Sequence, residues 1–460
     1  MLITIILIPT SSRHCLGPEV IMMVVNLVEL PMKIGSDRKT TSEVRFFPRG
    51  LVCIARSLLE SGFEVRLIDL SRDPLESLID GADIWGIRVV INQLPLAEAV
   101  IATIRERFPE ALVIAGGPFP TSAPDFTGLF LRPDYICIGE GEITMSDLLL
   151  NLSNSKEVRG VGIVDRRNGK VEVTPSREEV DLTVQPWADP SGLVDLGWYL
   201  AGERRPYHHL LPVEGYTLNN MMVSRGCPYD CAFCGHPFGR HVRCRKAEAV
   251  IEEVRTWQGL GASFLRHQDD DVTLWPDKLR REIFGAYKTL GVRWEGHIRA
   301  DRVDEGLLVE MKESGREMLW TGIEFSDDDL LRLAGKGLTV VQLQRTVDLC
   351  KAVDIKLGAF CQVGYPGQTD ESLEQMVRFV EQNELFPYEY PTMPIPGSRL
   401  FSEVQNRLGA QGRLRTYLWD CADWDACLVE EPKRFINLTR ATTSKLREVY
   451  LRLRELGPGG

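Results

Sequence analysis

Apolar and polar positions alternate in blocks along the first third of the chain. Short apolar runs at residues 3–8, 64–70, 83–90, 112–115 and 135–138 have the length of buried strands. Between them, 50–61 and 96–107 repeat their apolar positions with helical period, and the first stretch stops at Gly62, a residue suited to the left-handed turn after a helix. Glycines follow two of the strands, as Gly116-Gly117-Pro118 and Gly139-Glu140-Gly141-Glu142. This alternation predicts an α/β domain over 1–150. It would be a Rossmann-like parallel sheet that binds ligands at the carboxyl ends of its strands.

Residues 151–215 lose the rhythm and collect Pro175, Pro186, Pro190, Pro206 and Pro212, which predicts a linker with a little β structure. From Met221 the alternation returns. Strands are expected at 221–225, 264–268, 293–298, 319–324, 357–364 and 389–393, with helices at 247–257, 278–290, 305–314 and 371–382. Six βα units are too few for a closed eightfold barrel, so an open, partial (β/α)6 barrel is expected over 216–398. Residues 399–460 read as a small helical capping region, with a basic amphipathic helix over 435–456.

Composition narrows the classes. The 460 residues are 44% hydrophobic and 26% charged, which excludes disordered, collagen-like and coiled-coil chains. No apolar run approaches the ~18–20 residues of a membrane span. Residues 1–10 lack the basic start of a signal peptide and read as a buried strand, so a cytoplasmic protein is expected, with no membrane partner. Basic residues number 54 against 65 acidic, a net charge of -11, which argues for a small-molecule substrate and against a nucleic-acid partner. Eleven cysteines, an odd number, argue against a disulfide framework.

Three of those cysteines stand at ligand spacing. Cys227-Pro228-Tyr229-Asp230-Cys231-Ala232-Phe233-Cys234 is a C-x3-C-x2-C run directly after the first strand of the second domain. Three thiolates on one short loop suit three irons of a 4Fe–4S cube, leaving the fourth iron open for a substrate. With Cys244 or His236 as a fourth donor, the same thiols would suit zinc, so the spacing alone leaves zinc open.

The run resembles the cluster motif of the radical S-adenosylmethionine (radical SAM) superfamily, and Ser224-Arg225-Gly226 resembles its lead-in. The glycine strings of the first domain are similar to those of the subgroup with a cobalamin-binding domain. So are Arg299-Ala300-Asp301-Arg302-Val303, Gly322-Ile323-Glu324 and Gly364-Tyr365-Pro366-Gly367-Gln368-Thr369. The resemblance implies a 4Fe–4S cluster on Cys227, Cys231 and Cys234, S-adenosylmethionine (SAM) on the fourth iron, and reductive cleavage to a 5′-deoxyadenosyl radical. It also implies that the backbone of Phe233 meets adenine, and that Arg299 and Glu324 contact SAM at strand ends. A flavodoxin- or ferredoxin-type electron donor, with a separate reductase, belongs to the same expectation. Two departures leave cobalamin open: no D-x-H-x-x-G string occurs in residues 1–150, and Pro118-Phe119 stands where a histidine usually follows the glycine pair.

Alternate residues of a strand share a face, so Glu295, His297 and Arg299 point the same way. With Asp271 after the neighbouring strand, Glu295 and His297 form a candidate proton-transfer set. Tyr207, His208 and His209 could reach the barrel mouth, while Asp327–Asp329 reads as a helix start. The overall layout is similar to radical SAM diol dehydratases that deoxygenate aminoglycosides such as paromamine, which makes radical dehydration of a polyhydroxylated amino sugar the leading expectation. The alternative is a cobalamin-dependent radical SAM methyltransferase.

Overall fold

A computed structural model describes residues 23–31, 45–74, 81–184, 189–201, 216–408 and 411–457. The expected strand at 3–8, Cys15, and Tyr207, His208 and His209 lie outside the described residues.

The first sheet contains β1 (Val24–Glu29), β2 (Glu64–Asp69), β3 (Ile84–Arg88), β4 (Leu112–Gly116), β5 (Tyr135–Cys137), β6 (Val161–Asp165) and β7 (Lys170–Val173), in the order β2-β1-β3-β4-β5-β6-β7. Neighbours from β2 to β5 run parallel, and β6 and β7 are antiparallel additions. Both faces of β1 and β3 are buried, as their mostly apolar composition suits under helices on either side; the buried Asn26 and Glu29 of β1 and the end residue Arg88 of β3 are the exceptions. Two sequence expectations change. The β1 strand is not among the expected ones, and the β structure expected in the proline-rich segment takes the form of two strands that continue this sheet beyond residue 150.

The second sheet is all parallel, ordered β15-β14-β13-β12-β11-β8. Its strands are β8 (Tyr216–Met221), β11 (Ala262–His267), β12 (Arg293–Ile298), β13 (Arg316–Glu324), β14 (Lys356–Val363) and β15 (Phe386–Pro391). Between β8 and β11, the short β9 (Ser224–Arg225) and β10 (Arg243–Cys244) pair antiparallel and bracket the cysteine loop. The two outer strands, β8 and β15, do not pair, so the barrel stays open as its six units predict. The strand expected at 221–225 is divided: β8 ends at Met221, and β9 starts after it. The last strand begins three residues earlier than expected.

Capping fixes the helices between the strands. Thr339 and Thr369 close capping boxes with Gln342 and Ser372. Asp327 accepts from the backbone of Asp329 and Leu330 at 2.9 Å, the helix-start role its sequence predicts. In the tail, the helix covers Thr443–Leu456 only, and its buried Leu446, Val449, Tyr450 and Leu453 pack it as a cap over β15.

Candidate active site

The cysteine loop is positioned by backbone before any cofactor is considered. Gly226 has φ +96°, and a side chain there would collide with the carbonyl of His241. Cys227 N–H donates to the Gly239 carbonyl at 3.2 Å, and Ala232 N–H to the Ala334 carbonyl at 2.8 Å. His236 shares a 2.7 Å hydrogen bond with the Tyr229 carbonyl, which its Nε2 donates. Beneath the loop, the fully buried Asp269 accepts from Val223 N at 3.1 Å, Ser224 N at 2.5 Å, Ser224 Oγ at 2.6 Å and Trp275 Nε1 at 3.2 Å.

Cys227, Cys231 and Cys234 are half-buried free thiols. Burial pushes Cys227 up to about 11, and the neighbouring Asp270 and the other two thiols add to it. Among the described residues, no three His, Cys, Asp or Glu side chains converge on a single ion. A cube takes one thiolate per iron, which needs wider spacing than one ion's donors. His236 is committed to the loop, and Cys244 sits on β10 with Asp269 as its electrostatic neighbour. The donor set therefore fits a cluster better than zinc. Cys53, Cys137, Cys350 and Cys361 are buried thiols with raised pKa, as their apolar settings predict.

The expected SAM contacts gather at the carboxyl ends of β12 and β13. Glu324 closes β13 with φ +60°, a conformation that costs a non-glycine residue about 1–3 kcal/mol. Its carboxylate accepts from Tyr390 Oη at 2.5 Å and from Lys336 Nζ at 3.1 Å. Arg299 lies 3.7 Å over the ring of Tyr229, in the cysteine loop, and donates to Asp301 at 2.9 Å and to the carbonyl of Lys336. Phe233 packs edge-on against Tyr365 with ring centres 6.4 Å apart.

The face carrying Glu295, His297 and Arg299 is the concave one. The opposite face, with Ile298, Leu319 and Leu357, belongs to the core under the helices. On the concave face, His297 stands 5.5 Å from Phe360, which meets Trp320 at 5.5 Å and Tyr388 at 5.7 Å. Glu295 is held by Arg266 at 3.2 Å and by Trp320 Nε1 at 3.4 Å. Burial lowers the His297 pKa, and its Nδ1 donates to the Asp269 carbonyl at 3.0 Å, which leaves Nε2 as the acceptor of a neutral ring. Asp271 caps the turn after β11 by accepting from Thr273 N at 2.8 Å and Thr273 Oγ1 at 2.5 Å. Its second oxygen is buried without a partner, and burial pushes the carboxyl up to about 6.

A cleft of about 330 Å³ opens where the first sheet faces the barrel. It lies over β1 and β3, the point where the strand order reverses. Gly86, Gly117 and Gly139 floor it, and Met222, Arg225 and Phe238 of the barrel close it. At Gly50 and Gly139 an added side chain would project into open space. Among the described residues, no histidine lines the cleft. Arg225, two residues before Cys227, donates to Glu140 at 2.6 Å and Glu142 at 2.7 Å, so the cleft wall and the cysteine loop share one buried ion cluster. Sequence reasoning missed this link, and it missed Lys336, whose one signal is its place between two glycines.

A parallel half-barrel with a three-cysteine loop at its mouth and a switch-point cleft opposite defines a two-domain radical enzyme class. The comparisons agree. The Radical SAM superfamily model matches residues 221–380, and the B12 binding domain model matches residues 35–149. The chain belongs to the radical SAM superfamily, in the subgroup that carries a B12 binding domain, and is a radical SAM enzyme with a 4Fe–4S cluster and SAM as its cofactors. It is 29% identical over 376 residues to an uncharacterized methyltransferase of Pyrococcus horikoshii, covering 77% of each chain. It is 27% identical over 421 residues to the cytidylyl-2-hydroxyethylphosphonate methyltransferase of Streptomyces wedmorensis, covering 78% of this chain and 77% of that one. Its fold is similar to that of the radical SAM methyltransferase TsrM from Kitasatospora setae, solved with cobalamin and a 4Fe–4S cluster. The TM-score is 0.69 at 19% identity, over 85% of this chain and 80% of that one.

These relatives overturn diol dehydration as the leading expectation. Of the expected proton-transfer set, Glu295 is engaged in an ion pair with Arg266, while His297 donates through Nδ1 and keeps Nε2 as an acceptor. Among the described residues, no helix is long and apolar enough to cross a membrane.

Proposed function

We propose that the chain is a cobalamin-dependent radical SAM methyltransferase acting on a small molecule, with its cluster reduced by a flavodoxin- or ferredoxin-type donor. The observation that supports this best is the glycine-lined cleft, whose wall includes Arg225, two residues before Cys227, and the Glu140–Arg225–Glu142 ion cluster. The curated relatives named above are methyltransferases, which supports the same reading.

When bound, the cluster and SAM supply one-electron chemistry, and the corrinoid supplies the methyl group. The chain's residues have simpler tasks. Cys227, Cys231 and Cys234 hold the cluster. Arg299, Glu324 and the backbone of Phe233 orient SAM. Asp271 and His297 each turn one free acceptor, Oδ2 and Nε2, toward the barrel mouth and interior, where they can hold a substrate hydroxyl or take a proton. Glu295 keeps Arg266 in place beneath them.

The test is anaerobic reconstitution with iron, sulfide and hydroxocobalamin. The expected protein carries both a cluster band and a corrinoid band, and releases 5′-deoxyadenosine and S-adenosylhomocysteine from SAM under a low-potential reductant. A protein that holds the cluster but excludes the corrinoid, and releases 5′-deoxyadenosine alone, would refute methyl transfer.

A further inference from the structure

We propose that Glu140 couples the cleft to the SAM site: it holds both ends of the cysteine loop from the cleft wall, so that a corrinoid in the cleft tightens SAM binding. The inference rests on the cobalamin-dependent reading above and adds an energetic link between its two cofactors. Glu140 acts through the loop, as a positioning residue.

The geometry starts where β5 ends. The chain turns at Gly139, whose φ is +83°, and Glu140 then precedes the helix Gly141–Leu150. This fixes the carboxylate to the first domain's sheet. Its Oε1 accepts from Arg225 Nη1 at 2.6 Å, and its Oε2 accepts from Arg243 Nη1 and from Val180 N–H, both at 2.7 Å. Arg225 and Arg243 are register partners on β9 and β10, the strands that enter and leave the cysteine loop. A single carboxylate of the first domain thus pins both ends of a loop in the second. Each guanidinium is also anchored nearby. Arg225 Nη2 donates to Glu142 at 2.7 Å, and its Cζ lies 5.4 Å from the ring centre of Phe238. Arg243 donates to the carbonyls of Val180 at 2.7 Å and Phe238 at 3.1 Å.

Most of these residues line the cleft. Glu140, Glu142, Arg225 and Phe238 belong to its wall, whereas Arg243 does not. The domains are clamped separately through Arg49, Glu253 and Arg245, which leaves this second cluster to serve the loop. Glu140 and Arg225 each keep 8% of their side chains exposed, so solvent in the cleft screens their ion pair. A ligand that fills the cleft displaces that solvent, and the pair strengthens as the local dielectric falls. Stronger pairs hold the ends of the loop more firmly, and SAM then has less freedom to freeze when it binds there. Linkage requires SAM to tighten the corrinoid by the same factor.

Dissociation constants for SAM are measured by equilibrium dialysis on the reconstituted full chain, its cluster oxidised, with and without saturating hydroxocobalamin. Hydroxocobalamin is titrated by absorbance with and without SAM. Both comparisons should give one coupling factor, about five- to a hundredfold. R243M removes one end of the clasp without altering the cleft wall, and E140Q removes the charge that both ends share. In each the factor should fall toward one, with iron and sulfide content unchanged. If E140Q loses its cluster, R243M decides. A chain that binds both ligands with a factor of one, or variants that keep the native factor, would overturn the proposal and leave the proposed function standing. Loss of the cluster from both variants would assign the clasp to folding and overturn it too. A chain that binds SAM but no corrinoid would sink the proposed function, and this inference with it.

Discussion

Replacing Glu253 by leucine should break the main electrostatic clamp between the two domains. Glu253 lies in the barrel helix Ala247–Gly259, and its side chain is fully buried. It binds Arg49 at the start of the first domain's helix Arg49–Glu60, Arg245 at 2.6 Å and Trp257 Nε1 at 3.3 Å. Burial alone would raise its pKa, but the two guanidinium groups outweigh it and hold the carboxyl below its ordinary value. Arg49 is shifted up by the same pair, so both partners report the same sign. Removing one member of a buried ion cluster costs about 3–5 kcal/mol, because the others stay buried without compensation. At about 2–4 °C per kcal/mol for domains of this size, E253L should lower the melting temperature by roughly 10 °C. Replacing all three charges (R49M, R245M and E253L together) should restore part of that loss, since no guanidinium is then stranded. A carboxyl with a depressed folded pKa contributes stability above its unfolded value and loses it as pH falls through the folded one. The gap between the native chain and E253L, read by denaturant titration, should therefore narrow only in acid, below about pH 4. A loss under about 1 kcal/mol at pH 7, or a triple variant weaker than E253L, would refute the clamp.

Replacing Cys227, Cys231 and Cys234 together by alanine should abolish iron and sulfide binding, and retention of a full cluster would reassign it. D271N should be more stable than the native chain at pH 7. A folded pKa raised to about 6 means that stability is full below about pH 4 and is lost as pH rises through 6, by up to about 3 kcal/mol; equal denaturation midpoints at pH 4 and pH 7 in both proteins would contradict this. G322A should fold normally, because the atoms its methyl meets are the flexible ends of Lys336 and Glu324, yet it should weaken SAM binding at least tenfold; unchanged affinity would show that the two side chains need no fixed place.

How far the sequence could be read depends on the range of each signal. Strands β12 and β13 and their connecting helix are set by local periodicity, and they stand within three residues of their predicted places. The three cysteines carry their chemistry in their spacing. Asp271 was readable as a turn cap, since capping needs only the next two residues. The neighbouring oxygen's lack of a partner was not, because that depends on packing from other strands. Arg225 and Lys336 fall in the same class. Their partners Glu140 and Glu324 stand 85 and 12 residues away, and no periodicity links them. The dehydratase expectation rested on overall layout and was overturned by the relatives, not by a residue. The shared face of Glu295 and His297 follows from strand geometry, while Arg266, which pairs with Glu295, lies on the adjacent strand beyond the reach of that signal.

The same long-range contacts explain why this loop can serve a radical reaction. A cluster that must present one open iron to a chelating ligand needs a loop that does not shift when the ligand arrives. Here the backbone of residues 227–234 is tied at Cys227 to Gly239, at Ala232 to both Ala334 and Leu400, and at Tyr229 to His236 and Arg240. Arg225 anchors its start in the first domain, and Asp269 holds the strand that feeds it. The ties reach the segment that follows the loop, the end of the helix before Ala334, the helix at Leu400 and the first domain, so loosening the loop would require several of them to move together. The Lys336 ammonium and the strained Glu324 sit on the rigid side of this frame, and the cleft sits on the other. Strain at Glu324 of about 1–3 kcal/mol is tolerable only because Tyr390 and Lys336 fix its carboxylate from two directions. E324G relieves that strain but leaves the Lys336 ammonium and the Tyr390 hydroxyl without their carboxylate, a loss of about 3–5 kcal/mol, so the variant should be less stable than the native chain and weaker in SAM binding. A variant that loses stability and keeps its affinity would show that the conformation serves the strand and not the ligand.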